Sequence, residues 1–327
     1  MAHLADTVTL SEPFELEGQA PLFDLRIAYR AWGEPRADNA LVLLHGLSSS
    51  HDALGERAGS GYSPHGWARA LFGPGAPLEQ PGAWLVCPNL LASPFGSTRP
   101  ADGLPAVTIT DQARAVRALL RSLGVERARA VIGFSLGGTV ALRFAALFPD
   151  EVEAVATIQG PMRLPTAVCE RLDLQARRLL ADPQLRPGDE AASRRALARA
   201  RIEALRALYP RDWLTEERNR FAAERLLGAE AEEFARVFDP YCYLALLRCF
   251  AGADASGGLD WLEARSLVVA CASDELATPE SMLDTFNALC ASGAGARYFE
   301  LQGEAGHRAA FLEPEALVPA LRELLAG

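Results

Sequence analysis

Ser135 sits in Val131-Ile132-Gly133-Phe134-Ser135-Leu136-Gly137-Gly138, an apolar run entering Gly-x-Ser-x-Gly, with a helical pattern at Val140, Ala141, Phe144, Ala145 and Phe148 behind it. Glycines on both sides of the serine permit a sharp strand-to-helix turn, which lifts the hydroxyl off the end of a sheet with a helix N-terminus behind it. The chemistry open to such a serine is attack on a carbonyl. It requires a histidine to take the hydroxyl proton and an acid to orient that histidine. On a strand–turn–helix frame of this kind the partners follow in the order serine, acid, histidine. Of the five histidines only His307 lies downstream of Ser135, in Glu304-Ala305-Gly306-His307. Asp274, in Ala272-Ser273-Asp274-Glu275-Leu276, comes first after the apolar run Leu267–Ala272 and is preferred as the acid over Glu275 and Glu304. Its other use would be to cap the helix that begins near Pro279. Two backbone N–H groups are needed for the developing oxyanion. Leu136, directly after the serine, is expected to supply one, and Leu47, in His45-Gly46-Leu47-Ser48, the other. His45 is read as a support for that loop rather than as a base.

These residues must be held by regular elements. Leu25–Trp32, Ala40–His45, Trp84–Cys87, Arg129–Phe134 and Ala154–Gln159 read as strands, and Gly46–Gly82 as a long glycine- and proline-rich excursion. Asp111–Leu123 reads as an amphipathic helix, with Val116, Leu119, Leu120 and Leu123 on one face and Gly124 as its stop. From about Pro161 to Asp260 the chain turns rich in arginine, alanine and glutamate and reads as helices only. Strand and helix then alternate again at Ser266–Ala272, Pro279–Leu289, Ala296–Leu301 and Pro314–Leu325. The expectation is an α/β fold: a mostly parallel sheet flanked by helices, formed by residues 1–160 and 261–327, with residues 161–260 inserted as a helical lid. Such a lid would cover the carboxyl ends of the strands, where these sheets bind ligands.

Composition narrows the function further. The chain has 327 residues and a net charge of −10, which argues against a nucleic-acid partner. All 32 cationic residues are arginine, so Schiff-base chemistry on a lysine, and with it ordinary pyridoxal-phosphate chemistry, is excluded, as is a phosphate-binding Walker lysine. No run of apolar residues is long enough to span a membrane, and the start of the chain has no secretory pattern. Six cysteines without a CxxC pair fit buried, reduced thiols in a cytoplasmic protein, and no metal site or bound cofactor is expected.

Several segments carry a resemblance beyond the serine motif. Ile27-Ala28-Tyr29-Arg30-Ala31-Trp32-Gly33-Glu34 with Asp38-Asn39-Ala40, Gly73-Pro74-Gly75, Val86-Cys87-Pro88-Asn89-Leu90, Phe95-Gly96-Ser97-Thr98 and Val107-Thr108-Ile109-Thr110-Asp111 are similar to landmarks of one family. So are Phe238-Asp239-Pro240-Tyr241-Cys242-Tyr243-Leu244 and Asp274-Glu275-Leu276 with Pro279-Glu280. The sequence thus resembles the homoserine O-acetyltransferase/O-succinyltransferase family of the α/β-hydrolase superfamily. The resemblance implies an α/β-hydrolase fold and a place in methionine biosynthesis. It implies a ping-pong transfer from an acyl-CoA co-substrate, acetyl-CoA or succinyl-CoA, through an acyl-Ser135 to a hydroxyl of an amino acid or related metabolite. It also implies a homodimer, with the lid helices as the possible contact.

The same resemblance implies substrate contacts from Arg201, with Arg199 and Arg206 close enough to compete for that role, and from Arg308. The family follows its catalytic histidine with an aspartate that holds the substrate ammonium, whereas His307 is followed by Arg308. A cation there repels an ammonium. This departure puts homoserine itself in question as the acceptor unless Glu304 or Glu275 takes the aspartate's place. An esterase or thioesterase with the same triad and water as acceptor is the second reading. The landmarks outside the triad favour transfer, since a generic esterase has no use for them.

Overall fold

The computed structural model describes residues 3–55, 66–99, 107–209, 214–216, 220–293 and 295–326. Eight strands form one sheet: β1 His3–Thr9, β2 Arg26–Trp32, β3 Ala40–Leu44, β4 Trp84–Pro88, β5 Ala128–Phe134, β6 Ala154–Ile158, β7 Arg265–Cys271 and β8 Ala296–Leu301. Their spatial order is β1-β2-β4-β3-β5-β6-β7-β8. β2 runs antiparallel to both β1 and β4, and the remaining neighbours are parallel. The central strands β3, β4 and β6 are buried at every position, as expected of strands covered on both faces.

Helices α1 Ile109–Ser122, α2 Leu136–Leu147, α7 Pro279–Cys290 and α9 Val318–Ala326 flank the sheet. Four more, α3 Thr166–Ala181, α4 Glu190–Leu208, α5 Arg220–Val237 and α6 Pro240–Ala251, occupy the span between β6 and β7. A single turn, α8 Ala309–Leu312, follows the His307 loop. Among the described residues no helix is long and apolar enough to cross a membrane.

Register explains how distant residues meet. Leu44 lies opposite Gly133, Phe134 opposite Ile158, Ile158 opposite Val269, and Cys271 opposite Leu301. The chain therefore leaves β3, β5, β6, β7 and β8 at one end of the sheet, and His45–Leu47, Ser135, Gln159, Asp274 and His307 follow those exits within a few residues.

Most expected elements stand within two residues of their reading. α1 starts earlier, at Ile109, because Thr108 rather than a later residue caps it. The Thr108 hydroxyl accepts from the Asp111 N–H at 3.2 Å, and the Asp111 carboxylate accepts from the Thr108 N–H at 2.9 Å. The last expected helix divides into a tight turn, Pro314–Leu317, and α9. β1 was not foreseen. It lies at the sheet edge with nearly every residue exposed, so it carries no alternation of apolar and polar positions.

Candidate active site

The turn at Ser135 has the geometry that its glycines allow. Ser135 adopts φ 52° and ψ −123°, a strained conformation for a residue with a side chain. A Cβ on Gly137 would overlap the Leu44 carbonyl, and one on Gly133 would overlap the Gly137 carbonyl. The close crossing of β3, β5 and α2 thus depends on residues with no side chain.

Ser135, His307 and Asp274 form one hydrogen-bonded line. The Ser135 hydroxyl lies 2.8 Å from His307 Nε2, and His307 Nδ1 lies 2.8 Å from Asp274 Oδ2. An ionised carboxylate only accepts, so Nδ1 carries the proton and Nε2 accepts from the serine. Asp274 and His307 are almost inaccessible, at 3% and 8% exposure. The other expected use of Asp274, capping the helix after Pro279, belongs instead to Thr278, whose hydroxyl accepts from the Ser281 N–H at 3.3 Å. Asp274 Oδ1 accepts from the backbone N–H groups of Leu276 (2.8 Å) and Ala277 (3.0 Å). Glu275 and Glu304 are exposed and stand outside this line.

Gln159, which the sequence reading did not single out, joins the acid loop to the histidine loop. Its amide N–H groups reach Asp274 Oδ2 at 2.7 Å and the Gly306 carbonyl at 2.9 Å, and its carbonyl oxygen accepts from the Ala310 N–H at 3.2 Å. Like Ser135 it has a positive φ, 51°. The one sequence signal is a polar residue closing a mostly apolar strand beside Gly160-Pro161.

The loop after β3 abuts the serine. A Cβ built on Gly46 would lie 3.5 Å from that of Ser135, and Leu47 lines the cavity above it. Leu136, the other expected oxyanion donor, is the first residue of α2. His45 supports this loop: its Nε2 accepts from the Leu90 N–H at 3.0 Å, so its Nδ1–H donates to the Gly46 carbonyl at 2.8 Å. Burial, with a smaller contribution from His51, pushes its pKa down to about 4. Since the unfolded chain takes up this proton near pH 6.5 and the folded chain only near 4, stability is full above the higher value and falls as pH drops between them. The loss from this group is about 3 kcal/mol. Urea unfolding at pH 7 and pH 4 checks it. His45→Gln should remove that part of the pH dependence, and an unchanged slope in the variant would refute the assignment.

Above Ser135 lies a cavity of about 450 Å³, walled by α3, α4 and α6 and by the loops bearing Leu47, Leu276 and His307. The expected lid arginines separate here. Arg201 is 3% exposed and lines the cavity, its guanidinium 4.5 Å over the Phe234 ring. Arg199 turns away to Asp182 at 2.6 Å, and Arg206 to Glu224 at 2.8 Å. Helical phase carries the signal, because Arg201 shares its face with Leu197 and Leu205, both buried.

Arg308 also lines the cavity, but its charge is engaged. Its guanidinium stacks 4.3 Å over the Tyr209 ring and lies 3.7 Å from the buried Glu230. The Tyr209 hydroxyl donates to the same carboxylate at 2.7 Å, and burial together with that bond pushes its pKa up to about 12. Phe250 is buried and lines the cavity too, while Leu246 is fully buried. The six cysteines are unpaired, and Cys87, Cys242, Cys249 and Cys271 are buried.

The chain is similar to known proteins. Residues 39–314 match the alpha/beta hydrolase fold family. The homoserine O-acetyltransferase of Haloferax gibbonsii is 31% identical over an alignment covering 98% of this chain and 88% of that protein. The crystal structure of homoserine O-acetyltransferase from Bacillus anthracis superposes with a TM-score of 0.88 at 18% identity, covering 100% of this chain and 98% of that one. Esterase E22 superposes with a TM-score of 0.88 at 20% identity, covering 99% of this chain and 100% of its own. Such structural likenesses, at these identities, speak to the fold alone. The near-complete sequence match goes further, and on it the chain belongs to the homoserine O-acetyltransferase family of α/β-hydrolase-fold acyltransferases.

Proposed function

We propose that the protein moves an acyl group from an acyl-CoA, acetyl-CoA or succinyl-CoA, to the hydroxyl of a small metabolite through an acyl-Ser135. The observation that carries this reading is the line Ser135–His307–Asp274 opening into a cavity in a chain of this family. His307 takes the Ser135 proton as Oγ attacks the thioester carbonyl, and the N–H groups of Leu47 and Leu136 hold the oxyanion. The C–S bond breaks, and His307 returns its proton to the departing CoA thiolate. In the second half His307 deprotonates the acceptor hydroxyl, which attacks the acyl ester, and the proton passes back to Ser135. Asp274 orients the imidazole and stabilises its charged form, and Arg201 and Arg308 face the substrate across the cavity.

The second half competes with water, so transfer depends on a lid that excludes it. The substrates are small molecules, and the setting is the cytoplasm, as in methionine biosynthesis. Exposed Leu180 and Phe221 on the lid helices support a homodimer that meets there.

Free-thiol release from acetyl-CoA and succinyl-CoA, followed with and without hydroxylated acceptors, tests the reaction. Release that rises with an acceptor, together with an O-acyl product seen by mass spectrometry, is expected. Acceptor-independent release would make the enzyme a thioesterase, and no release alongside cleavage of simple esters would make it an esterase.

A further inference from the structure

The charges around the cavity bear on what the acceptor is. Arg171, Arg178, Arg201 and Arg308 line it, against a single lining glutamate, Glu203, among the described residues. Each carboxylate at or near the wall already has at least one partner, though Glu230 keeps one oxygen, Oε2, without a hydrogen bond. Glu203 meets Arg178 at 3.3 Å, on the side where both are half exposed. Glu230 lies behind Arg308 and takes the Tyr209 hydroxyl. Asp274 accepts from two backbone N–H groups, Gln159 and His307. Glu275 and Glu304, the residues expected to replace a missing ammonium partner, are exposed and do not line the cavity.

A substrate ammonium brought here would face four guanidinium groups and a single lining carboxylate, Glu203, already paired with Arg178, which is unfavourable wherever its water shell is lost. A substrate carboxylate would meet guanidinium groups, whose planar fork matches it. Arg308 alone does not decide the matter, since Glu230 balances it. The decision comes from the described lining itself: four arginines and one glutamate, Glu203, already paired with Arg178.

We infer that the acceptor is a hydroxy acid: an anion carrying the reactive hydroxyl and no ammonium group. This rests on the acyl-transfer reading for the role of that hydroxyl, whereas the charge preference itself can be read without any acyl donor. The acceptor step is the exchange already described, with the hydroxyl proton passing through His307 to Ser135 and the acyl group to the acceptor oxygen.

Three ligands isolate the charges: homoserine, γ-hydroxybutyrate (homoserine without its ammonium) and the corresponding amino alcohol (homoserine without its carboxylate). Each is tested for protection of Ser135 against an organophosphonate, with modification read by intact-protein mass. γ-Hydroxybutyrate is expected to protect at concentrations about tenfold or more below homoserine, and the amino alcohol not at all. Protection by homoserine equal to that by γ-hydroxybutyrate, protection by the amino alcohol, or none by γ-hydroxybutyrate would each overturn the inference.

An anionic acyl chain would meet the same arginines. Acylation of Ser135 by succinyl-CoA but not acetyl-CoA, with no protection by the hydroxy acid, would assign the cationic wall to the donor and also overturn it. Because protection needs no donor, its failure leaves the acyl-Ser135 test standing, and failure of acylation leaves protection readable.

A variant reverses the preference. Arg308→Asp places a carboxylate beside His307, and Glu230→Gln in the same chain avoids leaving Glu230 buried beside it. The double variant should bind homoserine about tenfold tighter than the parent does. A folded variant with unchanged homoserine protection would count against the inference.

Discussion

His307→Ala is expected to lower turnover about 10⁴-fold, Ser135→Ala about as much, and the two together scarcely more than either. Both follow from the single hydrogen bond at 2.8 Å between the Ser135 hydroxyl and His307 Nε2. Without the imidazole the attacking hydroxyl has no acceptor for its proton. Without the hydroxyl the imidazole has nothing to activate. The residues act as one unit, so their losses do not multiply. The remaining rate should come from the Leu47 and Leu136 N–H groups, which the substitutions leave in place, and from binding to the rest of the cavity wall. Stopped-flow thiol release with intact-protein mass provides the check: the parent shows an acyl-enzyme, and Ser135→Ala shows none. A Ser135→Ala protein that turned over at the parent's rate would remove the covalent route altogether.

What the sequence could and could not reveal divides along physical lines. Ser135, Asp274 and His307 stood out because the glycine-flanked turn, the order of strands and the scarcity of histidine each limit the choice. The central strands were visible because burial on both faces makes them continuous apolar runs. β1 was invisible for the opposite reason: its exposed edge position imposes no pattern. Arg201 stood blurred among its neighbours until α4 was given a phase, which turned Arg199 and Arg206 outward. The ion pair between Arg308 and Glu230 joins residues 78 positions apart, so no local signal marks it. Gln159 went unnoticed because a glutamine has no reactivity of its own. Its importance arises only when two loops close around its amide.

That amide makes Asp274→Asn more damaging than a loss of charge alone. Asp274 takes four donors: the Leu276 and Ala277 N–H groups on Oδ1, and Gln159 and His307 on Oδ2. Asparagine offers one acceptor oxygen and one donating NH₂. If the NH₂ faces the loop, two buried backbone N–H groups lose their acceptor. If it faces His307, the ring must carry its proton on Nε2, where it can no longer accept from Ser135. Gln159 cannot compensate by flipping, because its two ends are fixed by the Gly306 carbonyl and the Ala310 N–H. Turnover should fall about 10⁴-fold, as for the wrong tautomer in other triads. Stability should fall by about 1–3 kcal/mol from the orphaned donors. Gln159→Leu removes one of the four donors and leaves the carboxylate in place, so its kcat should fall only about tenfold, with KM little changed. Steady-state kinetics and urea unfolding of both variants separate the two effects. If Asp274→Asn kept turnover within about tenfold of the parent, His307 would have to be oriented by its loop alone, and the carboxylate's part in the mechanism would fall away.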